Sequence, residues 1–338
     1  MPLGLALLSA AFPPERRGAA IGIFSAITGL AVASGPLVGG AVVEGIDWTW
    51  IFWLNVPIGL LVAPLVLARM DESHGERSPI DLRGLALVTA GALALVWGLV
   101  RGNPAGWGSL EVIASLAAGI ALTAAFVGWE RRAPAPMVPM SFFRSRAFSA
   151  GNAAIFCVFA SLFSAVYFFS QLLQTGLGYG ALDAGLRLLP WTATFLVIAP
   201  IAGTLADRIG ERPLMVSGLL IQTGALAWIA LIADPSLAYS ELVVPMVLGG
   251  VGISMAIPAA QNSVVGAVAH EAIGKAAGTN SMMRELGGVF GIAVAVAVFA
   301  AAGSYYAGEA REVAAQVAEA ARRAAERARE AFRNAQKS

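Results

Sequence analysis

The sequence predicts an all-α protein that crosses a membrane many times. Of its 338 residues, 58% are apolar and only 13% are charged, and the mean hydropathy is +0.74. Soluble globular chains contain about 45–50% apolar and about 25% charged residues, so this composition disfavours a water-soluble enzyme. Nine apolar windows are each long enough to cross roughly 30 Å of hydrocarbon as a helix, and the positive charges between them alternate.

The apolar windows lie at about 19–44, 49–68, 84–101, 109–129, 148–174, 181–206, 213–233, 241–268 and 279–302. Residues 1–12 are also apolar, but they are only about half as long as a span. Arg16 and Arg17 follow them and no basic residue precedes them, so they resemble the end of a membrane helix rather than a signal peptide. The prediction is a polytopic helical bundle of about nine full spans plus a half-helix, truncated at its start.

The joints between windows differ in positive charge. Taken alternately from residue 12, one set of joints contains twelve Lys and Arg residues, whereas the other contains only Arg101 and Arg187. Short loops rich in Lys and Arg stay in the cytoplasm, so the first set is predicted to face inward. We therefore expect a multi-pass protein of the cytoplasmic (inner) membrane that contacts lipid.

Several function classes are disfavoured by composition. A net charge of +1 gives no reason to expect a nucleic-acid partner. One cysteine, Cys157, and two histidines, His74 and His270, leave no Cys/His metal cluster. Without a phosphate-binding GxxxxGKS/T loop, ATP is not expected as the energy source. We expect no cofactor and no metal.

Residues 304–338 differ from the rest because Ala, Glu and Arg dominate them. They predict a polar helical tail that cannot span a membrane. A solvated helix, contact with anionic lipid and a scaffold role that binds another protein remain open for this tail.

Two segments combine small residues with a defined spacing. In the first span, Ala31, Gly35 and Gly39 recur at every fourth position and share one helix face, while Pro36 interrupts the helix hydrogen bonds. Ordinary tight helix packing is the alternative interpretation. The second segment, GTLADRIGERP, occupies residues 203–213 on a predicted cytoplasmic joint.

In this second segment, Asp207 can pair with arginines or accept hydrogen bonds from a neighbouring helix N-terminus. Gly210 permits a tight turn. The segment is predicted to form a cytoplasmic gate through Gly203, Asp207, Arg208, Gly210 and Arg212. A local ion pair in a positively charged turn is the alternative.

These segments resemble the major facilitator superfamily, in its fourteen-helix drug:proton antiporter branch (EmrB/QacA type). Gly35-Pro36-Leu37-Val38-Gly39-Gly40 is similar to the antiporter motif of the fifth helix, with Ala31 where the family has glycine, and residues 203–213 are similar to the loop motif GxLADRxGRR. Residues 50–59 and 278–291 are similar to the family's sixth and thirteenth helices. The resemblance covers residues 1–303.

The resemblance implies four parts: residues 1–129 as the rest of an N-terminal bundle with two linking helices, 130–147 as a cytoplasmic loop, 148–303 as a C-terminal bundle, and 304–338 as the tail. It implies that the family's first three helices, half of the fourth and the last one are missing. Because major facilitator proteins move substrate between two bundles, we expect this chain not to transport on its own.

Charges within a bilayer are functional candidates by default. Glu285, beside Arg284, is a candidate for proton coupling or for binding a cationic substrate, and a carboxylate facing the headgroups is the alternative. Asp183 is a further candidate, although a surface ion pair with Arg187 is the favoured interpretation. Five polar residues are candidates for lining a cavity: Tyr167, Gln171, Gln174, Gln261 and Asn262. Hydrogen bonding between helices is the alternative role for them.

The favoured function is proton-coupled export of small lipophilic or cationic compounds by alternating access, with the proton gradient as the energy source and no enzymatic step. The alternatives are a transport-incompetent fragment of such a transporter, or a membrane scaffold that uses its C-terminal helix.

Overall fold

The computed structural model describes residues 4, 12–69, 81–234 and 237–302. All regular structure in these ranges is helical, and nine stretches are long and apolar enough to cross a membrane. The nine predicted spans are therefore confirmed. The predicted half-helix of residues 1–12, except residues 4 and 12, and the predicted tail of residues 304–338 lie outside the described residues.

Eleven α-helices occur in the described ranges, and two pairs of them each form one span. The helices are α1 Pro14–Gly45, α2 Trp50–Trp53, α3 Asn55–Arg69, α4 Leu82–Ala105, α5 Leu110–Glu130, α6 Arg146–Gln171, α7 Ala181–Thr192, α8 Thr194–Ile209, α9 Glu211–Ile232, α10 Tyr239–Gly266 and α11 Ile273–Ala302. The pair α2–α3 makes one span and the pair α7–α8 makes another. A π-helical turn, Leu172–Gly176, extends α6.

Local sequence explains where several helices begin. The side chains of Asp81, Ser109 and Ser145 each precede a helix and accept a hydrogen bond from a backbone N–H in its first turn. Helix α11 begins at Ile273, earlier than the predicted 279, because helix formation continues past the polar Lys275 and Thr279 into the loop. Glu285 consequently lies deeper along its helix than predicted.

Helix α10 is the centre of the bundle, and 67% of its apolar window is buried. It packs against α9 so closely that a Cβ added to Gly218 would lie 2.6 Å from the carbonyl oxygen of Gly252. The main apolar core joins α6, α7, α8 and α10 through buried side chains such as Val158, Trp191 and Ile253. Small residues at the crossings let van der Waals packing hold these helices together.

Helix α1 lies antiparallel to the span α7–α8 and packs along its length. The sequence assigned α1 to an N-terminal bundle and α7–α8 to a C-terminal one, so this contact is the boundary between the two predicted bundles. By contrast, every residue from 50 to 68, in the span α2–α3, is exposed in the structure.

Helices α4 and α5 form a hairpin that touches the bundle through α11. Near the predicted outer end, the Asn103 side-chain amide donates to the carbonyl oxygen of Ala297 at 2.6 Å. Near the predicted cytoplasmic end, Lys275 Nζ donates to the carbonyl oxygen of Pro136 at 3.2 Å. A lateral cavity lies between these two attachment points.

Candidate transport pathway

The predicted cytoplasmic half of the interface between α1 and α8 is a contact between glycines. A Cβ added to Gly22 would lie 2.8 Å from the carbonyl oxygen of Ala199 and 3.0 Å from the Cα of Gly203. Gly203 in turn packs against the backbone of Gly18. Side chains at these positions would push the two backbones apart, so the small residues allow the closure.

Asp207 joins the two helices at the predicted cytoplasmic end of this interface. Its Oδ1 accepts a hydrogen bond from the Gly18 N–H at 3.0 Å, and its Oδ2 accepts one from the Ala19 N–H at 2.9 Å. Both donors lie in the N-terminal part of α1, where the helix dipole favours a negative charge. Of the two roles that the sequence left open for Asp207, the described residues show the bond to a neighbouring helix.

The rest of the loop motif shapes the turn between α8 and α9. Gly210 has a φ of +85°, which L side chains rarely adopt, so glycine is required there. Arg208 and Arg212 are exposed on either side of this turn. Glu211 accepts a hydrogen bond at 2.8 Å from the side-chain amide of Asn262, a predicted cavity residue that instead binds this turn.

Glu44 makes the corresponding contact at the opposite end of the interface. Its Oε1 accepts a hydrogen bond from the Leu182 N–H at 3.0 Å, in the first turn of α7. Each partner of the antiparallel pair thus carries, near its C-terminal end, an acid that binds the N-terminal part of the other. Glu44 is not among the predicted site residues, although an acid at the end of a span is visible in the sequence.

The antiporter-motif residues divide between two faces of α1. On one face, a Cβ added to Gly40 would collide with the backbone of Ala181 and Leu182, and Gly185 packs against the backbone of Pro36. On the other face, a Cβ added to Gly35 or Gly39 would meet no described atom within 4 Å, and Ala31 is exposed. The close approach predicted for Ala31, Gly35 and Gly39 is therefore made instead by Pro36 and Gly40.

A small central cavity of about 40 Å³ lies midway between α1 and the C-terminal helices. The rings of Phe24, Phe159 and Phe195 line it, together with Gln261 and Arg284. Gln261 Oε1 accepts a hydrogen bond from Ser25 Oγ at 3.2 Å, which crosses from α10 to α1. The phenylalanines gave no sequence signal that distinguished them from ordinary packing.

Arg284 and Glu285, adjacent residues of α11, form an ion pair in which Arg284 Nη2 and Glu285 Oε1 are 2.5 Å apart. The Arg284 side chain is 15% exposed and lies 5.6 Å from the centre of the Phe159 ring, on the side of the central cavity. The Glu285 side chain is 66% exposed and lines the lateral cavity, which has a volume of about 660 Å³. The pair therefore connects two separate cavities.

The lateral cavity is almost wholly apolar. Side chains of α4 such as Leu85, Ala92 and Val96 face Met282 and Leu286 of α11 across it. Lys275 and Glu285 are its charged lining residues. Its volume lies in the range of about 300–1,000 Å³ that is typical of small-molecule sites.

The remaining candidates lie near the predicted outer end. Asp183 forms an ion pair with Arg187 at 3.1 Å, the arrangement of the surface alternative. Gln174 lines an outer cavity of about 280 Å³ beside Gly39 and Gly40. Tyr167 and Gln171 are exposed outside this cavity, because the π-helical turn that begins at residue 172 changes the spacing that would align them with Gln174. The described ranges contain no cluster of three potential metal ligands.

Comparison with known proteins places these features in a family. Residues 1–292 match the model of the Major Facilitator Superfamily. The chain is 34% identical over 299 residues to a tetracenomycin C resistance and export protein of Streptomyces glaucescens, with 87% of this chain and 55% of that protein covered.

It is also 34% identical to the multidrug resistance protein Stp of Mycobacterium tuberculosis, with 88% of this chain and 55% of Stp covered. It is 29% identical to the multidrug export protein EmrB of Escherichia coli, with 87% and 58% covered. The chain thus spans little more than half the length of these curated relatives. A multi-pass helical membrane protein, it belongs to the major facilitator superfamily.

Proposed function

We propose that this chain takes part in the export of small lipophilic or cationic compounds across the cytoplasmic membrane in exchange for protons. Three relatives carry export or drug resistance in their names. The family consists of transporters rather than enzymes, so no enzymatic step is proposed. Alternating access would occur at the interface between α1 and α7–α8, where an acid closes each end.

The observation that carries the proposal is the Arg284–Glu285 pair between the two cavities. The faces of Phe24, Phe159 and Phe195 can attract a cation that is stripped of water. With Glu285 ionised, its charge offsets that of Arg284, and a cation would be tolerated in the central cavity once that cavity widens beyond its present volume of about 40 Å³.

A proton on Glu285 would remove that compensation. Arg284 would then leave a net positive charge beside the central cavity, and a bound cation would be repelled. The proton would bind Glu285 on the side of the lateral cavity, and the cation would bind in the central cavity. Because both act on the charge of the Arg284–Glu285 pair, binding of one would disfavour binding of the other.

Transport by the protein in liposomes tests this proposal. With an imposed proton gradient, uptake of a lipophilic cation that an uncoupler abolishes would support export and would overturn the expectation that this chain does not transport on its own. Glu285→Gln should make the remaining uptake insensitive to pH, because the amide keeps the shape and cannot titrate. Asp183→Asn is the matched control, since it removes an acid whose ion pair lies on the outer surface, and it should leave the pH dependence intact.

The alternatives make different predictions in the same assay. A transport-incompetent chain, or a scaffold, would give no uptake above protein-free liposomes. Uptake with an unchanged pH dependence in Glu285→Gln would assign Glu285 to contact with headgroups or lipid and would refute its role in coupling.

A further inference from the structure

Two carboxyl groups outside the transport pathway meet at the predicted cytoplasmic end of the α4–α5 hairpin. Asp81 immediately precedes α4, and Glu130 is the last residue of α5. Glu130 is buried, with 2% of its surface exposed, and its Oε1 and Asp81 Oδ2 both lie within 3 Å of the position that a Cβ on Gly84 would occupy. A buried acid beside a second acid is costly unless protons or donors compensate the charges.

Asp81 has donors that favour its charged form. Its Oδ1 accepts a hydrogen bond from the Gly84 N–H at 2.9 Å, and both of its oxygens lie 2.9 Å from Trp129 Nε1. These donors, the Gly84 N–H first, hold the pKa of Asp81 below its ordinary value. The guanidinium of Arg83 lies 5.1 Å from the centre of the Trp129 ring and keeps a positive charge nearby.

Glu130 is satisfied on one oxygen only. Its Oε2 accepts a hydrogen bond from the Val138 N–H at 3.0 Å, whereas its buried Oε1 has no donor among the described residues. A Cβ added to Gly84 would lie 2.8 Å from this Oε1 and 2.5 Å from Asp81 Oδ2. The unpartnered oxygen therefore lies beside an ionised carboxylate, a position in which only a protonated carboxyl makes a hydrogen bond.

We propose that Asp81 and Glu130 form a proton-binding site that holds one proton, carried on Glu130 Oε1 and donated to Asp81. The pair then carries a single negative charge. Lys275 of α11, the cation that faces Glu130 from the neighbouring helix, balances it electrostatically. Among the described residues, the charged groups placed at this site are Asp81, Glu130, Arg83 and Lys275, and no further reactant is required.

The site links cytoplasmic pH to the attachment of the hairpin. Glu130 binds the loop at Val138, and Lys275 binds the same loop at Pro136. Loss of the proton would leave two carboxylates facing each other in a buried site, and their repulsion would separate α4 from α5 at this end. The contact is therefore complete at low pH and weakens as the pH rises.

Infrared spectroscopy of the purified protein over a pH series tests the site, because a protonated carboxyl has a C=O band distinct from that of a carboxylate. We expect a carboxylic-acid band in the wild type at neutral pH that Glu130→Gln removes. Asp81→Asn should make the same band disappear at a lower pH, since Glu130 then loses its charged neighbour. The matched control is Glu111→Gln at the other end of α5, where the acid is ion-paired with Arg101 at 2.9 Å, and the band should be unchanged.

Identical spectra for the wild type and Glu130→Gln at every pH would overturn the proposal. If Glu130→Gln does not fold, Asp81→Asn decides alone, and an unchanged titration of the band in that variant would equally overturn it. The readout does not require transport, so it is independent of the function proposed above.

Discussion

Asp207→Asn should open the cytoplasmic end of the interface without unfolding the protein. The carboxylate binds two backbone N–H groups of α1, at 3.0 and 2.9 Å. Asparagine keeps one acceptor oxygen, but it places an amide against the second N–H and removes the charge. A capping side chain stabilises a helix by about 0.5–2 kcal/mol, and a charge at the helix N-terminus by about 0.3–1 kcal/mol.

A loss of about 1–2 kcal/mol from the closed state follows, because one acceptor survives and the site is open to solvent. This corresponds to a roughly 5- to 30-fold rise in the population with an open cytoplasmic end. The substitution should therefore change the population of the open state strongly. It should change the stability of the fold only slightly, because the main apolar core lies around α10.

Labelling with a maleimide in a Cys157→Ser background measures this effect. Ala20→Cys reports on the cytoplasmic end, where Ala20 is 6% exposed, and Ala184→Cys reports on the outer end, where Ala184 is buried. Asp207→Asn should accelerate labelling of the inner reporter by about 5- to 30-fold and leave the outer reporter unchanged. Equal acceleration at both ends would indicate general loosening, and no acceleration would show that the acid does not hold the helices; either result refutes the reasoning.

Three further outcomes are expected. Glu44→Gln should accelerate labelling of the outer reporter while the inner one stays slow, and the opposite pattern would exclude an outer contact of this kind. Gly22→Ala should destabilise the detergent-solubilised protein by about 1–3 kcal/mol, because the added Cβ would collide with the backbone of α8. Gly35→Ala is the matched control: its Cβ would meet no described atom, so it should stabilise the protein by up to about 1 kcal/mol through helix propensity. A lower melting temperature for Gly35→Ala would contradict this packing. Ser141→Cys should be labelled only from the cytoplasm and Gly108→Cys only from outside, and labelling of both from one side would refute the predicted orientation.

The spans were predictable because hydropathy is a property of each local window. All nine windows became helices that can cross a membrane, and the turn at Gly210 followed from one residue type. The ends were less predictable: α11 begins before its apolar window, since helix formation does not require every residue to be apolar. The breaks after Trp53 and Thr192, within single apolar windows, left no clear trace in hydropathy.

The partners of the site residues depend on contacts between distant parts of the chain. The motif indicated that Asp207 has a role, but the Gly18 and Ala19 amides are 188–189 residues away from it. Glu130 appeared as one polar residue at the edge of a basic loop, and its burial arises only when residues near Val138 fold over it. A single sequence contains no direct record of such pairings.

The division of the span α7–α8 at Ala193 has a mechanical consequence. Its outer segment carries the contact with Glu44, and its inner segment carries the contact with Asp207, so the two contacts belong to two stiff rods joined at one hinge. A bend at that hinge can release one end of α1 while the other end stays bound. In the alternating access proposed above, the motion would then be a change of angle between two rods, and the two ends would never have to be released together.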